Sequence, residues 1–186
     1  MGFQFHAETA PVIGTIEEPQ PDERVCWHEA CHAVIGHGFG AVLASVTVRS
    51  PAHVEFVSSG SLQPVESVAM SYAGPVGEMA LTRCWSTFGQ ADEADFLARV
   101  EAFQFGGCDG CRMALAAWAA VGLPAGIDAA RGVFREGQLL VLRIAQERRV
   151  RQAIQMLAQE LMERHTVSGK RAASIIEPFV RHGEFS

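Results

Sequence analysis

The sequence is poor in charge, has no long apolar run, carries no basic cluster, and holds an odd number of cysteines. Asp, Glu, Lys and Arg make up 19% of its 186 residues, against roughly 25% in soluble domains. A sparsely charged surface favours self-association or a partner protein, so a homo-oligomer or a protein partner is expected. Net charge is -6, and no basic patch is interleaved with aromatics, so nucleic-acid binding has no support. No apolar run approaches the roughly 20 residues that cross a bilayer. The N-terminus lacks a basic region followed by an apolar one, and so lacks a secretory signal. Gly2 invites myristoylation, but His6 stands where Ser or Thr is needed. Five cysteines at irregular spacing make a poor disulfide framework. Reduced thiols in a cytoplasm are the simpler reading. No Gly-x-x-x-x-Gly-Lys-Ser/Thr loop occurs, so ATP hydrolysis by this sequence is not expected.

What is present suits one globular domain. The residues are 48% hydrophobic, enough for a core at this length. Residues 1–20, punctuated by Pro11, Gly14 and Pro19, read as an N-terminal arm. Residues 12–16 form a short strand or an extended arm on the core. Residues 21–186 read as the domain. Pro21, Asp22 and Glu23 open a helix, which Gly36, Gly38 and Gly40 should close.

Residues 42–49 and 54–57 alternate in the strand manner about a turn at Ser50, Pro51 and Ala52, which makes a β-hairpin. Helical spacing returns at residues 65–83, with Gly74 and Pro75 inside as a kink or a restart. Further helices are expected at 91–105, at 113–121, and over 127–165 with an interruption near Gly137. Residues 166–169 then form a turn before a last short helix. The class is mainly α, with one hairpin after the first helix.

That first helix carries the chemistry. His28, Glu29 and His32 stand as His-Glu-x-x-His. Residues four apart share a helix face, so two imidazoles aim at one point and leave a coordination position for water. Glu29 lies where a carboxylate can take that water's proton. The expected cofactor is Zn²⁺ and the expected substrate a peptide or protein. The expected reaction is peptide-bond hydrolysis through a Glu29-activated, zinc-bound water.

A third ligand must come from elsewhere. The extended motif would need Gly at 35 and His at 38, where Ile35 and Gly38 stand. His37 falls five residues after His32 and points away. Glu55 suits a solvent-facing strand position. Glu78, Asp92 and Asp95 remain. Glu78 would lie in mid-helix among small residues. Asp92 and Asp95 open a helix, where acidic residues are favoured in any case.

These segments resemble a known family. The run from His28 to Ala33 is similar to the His-Glu-Ala-Gly-His-Ala motif of the FtsH family of ATP-dependent zinc metalloproteases. Val46-Thr47-Val48 resembles the strand after that helix. Ala73 to Glu78 resembles the family's Ala-Gly-x-x-Ala-Glu helix, and Gly89 to Phe96 its Gly-rich stretch before an aspartate. Leu157 to Gly169 resembles its closing helix and turn. The resemblance covers residues 22–182, without the ATPase module.

It implies a helical, zincin-type metallopeptidase domain with zinc on His28, His32 and an aspartate. Asp95 is that aspartate by its following apolar residue, with Asp92 in reserve. Glu78 then steadies a ligand histidine. Cys31 departs from the family's Gly, and neither composition nor spacing accounts for it. Cys108 and Cys111 form half of a structural zinc site at most, and free thiols are the expectation. The competing expectation is a non-enzymatic peptide- or protein-binding module on the same scaffold.

Overall fold

Asp22 starts the first helix by accepting a hydrogen bond from the Arg24 amide at 2.9 Å, which satisfies one of the amides left free at a helix N-terminus. The computed structural model describes residues 20–186. The expected N-terminal arm and its short strand therefore lie outside the described residues, apart from residue 20.

Helix α1, Glu23–Gly38, passes through Gly36 and ends at Gly38, among the glycines expected to close it. Both glycines serve close packing. A Cβ on Gly36 would sit 2.7 Å from the Phe56 ring, and one on Gly38 2.1 Å from the Phe185 ring. The helix stops at Phe39, and Gly40 follows with φ +82°, a backbone state that glycine adopts without strain.

The hairpin forms as expected from β1, Val42–Thr47, and β2, His53–Ser58. A third strand joins it. β3, Thr166–Ser168, occupies the expected turn and pairs antiparallel with β1, so the order is β2-β1-β3. Val46 stands opposite Val54 on one side and Val167 on the other. Among the described residues, β2 is thus an edge strand.

Helix α2, Pro64–Thr82, continues through Pro75 as one helix. Its start carries a reciprocal capping box between Gln63 and Glu66. It packs between α1 on one side and α4 and α5 on the other. Helix α3 is Gln90–Glu101, and α4 is Asp109–Val121. The start of α4 lies four residues before the expected one.

The expected long helix is two helices, α5, Ile127–Ala145, and α6, Arg148–Arg164. They part at Gln146 and Glu147, not at Gly137. Gly137 lies inside α5, where a Cβ would come within 2.4 Å of Val68. Its small size lets α5 approach α2. Helix α7, Gly169–Ile176, is capped by Ser168, whose hydroxyl accepts from the Arg171 amide.

The architecture is mainly helical with a small antiparallel sheet. One core contains Tyr72, Leu97, Phe134, Ile154 and Leu161, all fully buried. Buried Gln138 ties the preceding loop to α3 by accepting from the Phe88 amide at 2.8 Å and donating to Glu93. Among the described residues, no helix is long and apolar enough to cross a membrane.

Candidate metal centre

Three helices build the site. α1 supplies His28, Glu29 and His32; α2 supplies partners behind the imidazoles; α4 supplies Asp109. The Nδ1 of His28 bonds to Glu78 at 2.9 Å, and the Nδ1 of His32 to the Met70 carbonyl at 2.9 Å. A carbonyl only accepts, so His32 carries its proton on Nδ1 and leaves Nε2 as the free donor atom. Such outer partners fix the tautomer and orientation of metal-binding histidines. Glu78 also takes a hydrogen bond from Arg24.

Both Nε2 atoms face one carboxylate. His28 Nε2 lies 3.1 Å from Asp109 Oδ2, and His32 Nε2 lies 3.6 Å from Asp109 Oδ1. Among the described residues, ligand atoms of these three side chains fall within 4.8 Å of one another. Two ligand atoms about 2.0–2.1 Å from a tetrahedral zinc stand roughly 3.3 Å apart. The observed 3.1 and 3.6 Å bracket that separation. Two imidazole nitrogens with a carboxylate are also a donor set that zinc accepts, so the residues fit the ion.

Electrostatics tie the three together. Burial pulls His28 down, but its bonds to Asp109 and Glu78 overcome this and raise it to about 9. Burial pushes Asp109 up, yet the two imidazoles hold it well below the usual carboxylate range. Glu29 is buried beside them, and burial raises its carboxyl above the ordinary value despite His32 and His28.

The sequence-predicted residues divide. His28, Glu29 and His32 come together, and Glu78 stands behind His28. Asp95 does not join them. It is exposed on α3 and pairs with Arg99 on its own helix at 3.4 Å. Asp92 is likewise exposed in the first turn of α3. Asp109 occupies the place expected for Asp95. Glu55 lies on β2 and accepts from Ser45, while His37 is buried against Glu177 at 2.8 Å.

The imidazoles open into a cavity of about 440 Å³ that is also lined by His53, Phe56, Gly107 and Arg112. Sequence reading missed His53, Asp109 and Arg112. The one available signal for Asp109 was an acidic residue at a possible helix start, masked by the glycines around it. His53 Nδ1 bonds to the Pro51 carbonyl at 2.8 Å, which makes Nδ1 the protonated nitrogen.

No protein-family model and no curated protein sequence matches the chain.

Proposed function

We propose that the chain is a zinc-dependent metallopeptidase of the helical, FtsH-like kind, with His28, His32 and Asp109 as metal ligands and Glu29 as general base. The observation that carries this reading is the meeting of both imidazole Nε2 atoms with one carboxylate, with Glu29 buried beside them. A purely structural zinc site has no use for a fourth ionisable group there. Zn²⁺ in such a site supplies Lewis acidity toward water and a carbonyl oxygen.

Glu29 takes a proton from the attacking water and returns it to the departing amine. Its raised pKa suits it to hold that proton between the two events. Arg112 faces the same cavity and offers N–H donors to the oxyanion that forms as water adds to the carbonyl. Among the described residues, the outer edge of β2 is unpaired within the sheet, and β2 flanks the cavity through His53, Val54 and Phe56. An extended substrate backbone pairs there, which gives affinity with little sequence choice. The substrates are therefore exposed or unfolded segments. Five free thiols favour a reducing, cytoplasmic setting.

The test compares wild type with Glu29→Gln for metal content and for cleavage of an unfolded casein. Both proteins should retain one zinc. The variant should lose about 10²–10⁴-fold in rate, and a chelator should silence the wild type. Undiminished cleavage by the variant overturns the reading. Stoichiometric zinc with peptide binding but no cleavage in the wild type identifies a binding module instead.

A further inference from the structure

Asp109 stands between two cysteines. Cys108 is the N-cap of α4 and is exposed; Cys111, three residues on, is fully buried. The Cys108 carbonyl accepts from the Arg112 amide at 3.0 Å, so both cysteines belong to one helical turn. Residues three apart in such a turn have Cα atoms about 5 Å apart, inside the range of about 4.4–6.8 Å that a disulfide spans.

The two sides of this turn differ in freedom. Gly110 is wedged against Phe96, whose ring lies 2.4 Å from where a Cβ would sit. Cys111 is held in the interior. Before Cys108, Gly106 and Gly107 have no neighbour among the described residues within 4 Å of a Cβ position. A strain applied between the sulfurs is therefore relieved at Cys108 and the adjoining Asp109, not at Cys111.

We propose that Cys108 and Cys111 form a reversible disulfide that shifts Asp109 relative to His28 and His32, and so makes metal affinity respond to thiol redox state. The metal consequence rests on the reading of Asp109 as a ligand. The oxidant is a low-molecular-weight disulfide. The exposed Cys108 sulfur attacks it, its sulfur–sulfur bond breaks, and the leaving thiolate takes the Cys108 proton. The Cys111 sulfur then attacks Cys108 in the mixed disulfide, and the second leaving thiolate takes the Cys111 proton. One disulfide is reduced to two thiols as the protein pair is oxidised. Cys84, exposed just past the end of α2 and without another cysteine three residues away in sequence, stops at the mixed stage.

Reduced protein is equilibrated in glutathione buffers of graded ratio, the thiols are blocked, and the bonds are mapped by peptide mass. An internal Cys108–Cys111 bond that reduced glutathione reverses is expected. Glutathione accumulating on Cys108 with Cys111 free overturns the proposal, as does a pair still reduced where Cys84 is modified. The shift of Asp109 is read in metal-free protein from the ring nitrogen resonances of His28 and His32. Oxidation should move both in wild type and neither in Cys108→Ser, which keeps a good N-cap. Unmoved resonances in oxidised wild type overturn the coupling. Zn²⁺ affinity, by chelator competition, should fall about tenfold or more on oxidation; equal affinity in both forms also overturns it. If the bond forms and the rings move but neither form takes Zn²⁺, the metal reading falls and the disulfide's hold on Asp109 stands.

Discussion

A metal can reach His28 only by displacing a proton. In the metal-free chain that imidazole stays protonated to about 9, above its ordinary 6.5, and a protonated imidazole cannot ligate. Zn²⁺ affinity should therefore rise with pH between about 6.5 and 9, by as much as tenfold per unit for one displaced proton. A competing chelator titrated across that range reads the slope, and a flat profile would refute it. The choice of carboxylate is tested in the same assay. Asp109→Asn should lose more than the roughly 10–100-fold that outer-shell changes cost. Asp95→Asn should leave affinity unchanged, since Asp95 is exposed and touches Arg99. The reverse ranking would restore Asp95 as the ligand. His28, Glu29 and His32 were legible because a four-residue step puts groups on one helix face whatever the tertiary structure. Asp109 was not, because its nearness to them depends on how α4 packs across α2. Cys31 is also explained by packing. It is fully buried, and burial raises its thiol far above the ordinary value, so it behaves as a small apolar residue and not as a reagent.

At the scale of elements, the site depends on how closely α2 approaches α1. Two glycines of α2 set that approach. A Cβ on Gly74 would stand 2.1 Å from His28 Nε2, and one on Gly77 2.3 Å from the Trp27 carbonyl oxygen. Gly77→Ala gains about 1 kcal/mol of helix propensity. It meets a backbone atom that cannot rotate away, however, and overpacking costs about 1–3 kcal/mol. We expect net destabilisation in urea unfolding with metal affinity largely kept. Gly74→Ala should do the opposite, displacing the His28 ring and lowering Zn²⁺ affinity about 10–100-fold while the fold persists. Equal effects from the two variants would contradict this division. The glycines also show why element boundaries were hard to read. Gly36 and Gly137 look like breaks in a sequence, yet each lies within a helix because a neighbouring side chain takes the place of its Cβ. β3 escaped notice because three residues hold too little periodicity to register, and its pairing with β1 comes from far along the chain. The helices with long apolar stripes and the β1–β2 hairpin are local patterns, and those were legible.

For the whole molecule, the proposed ion is a cross-link. α1 and α4 are held together mainly through α2, which packs against both, and the ligand set spans the two helices from His28 and His32 to Asp109. An unfolded chain does not preserve that arrangement, so binding free energy becomes folding free energy. At a free Zn²⁺ concentration a hundredfold above its Kd, the stabilisation is about 2.7 kcal/mol. For a domain of this length each kcal/mol moves Tm by about 2–4 °C, which gives a rise of roughly 5–10 °C. Thermal unfolding with Zn²⁺ and with chelator measures it. Asp109→Asn should melt at one temperature under both conditions, and Asp95→Asn should reproduce the wild-type shift. A wild type whose Tm is indifferent to saturating Zn²⁺ would mean that the ion, if bound at all, does not join α1 to α4. The three side chains would then form a hydrogen-bonded cluster in which the charge of Asp109 is balanced by a protonated His28.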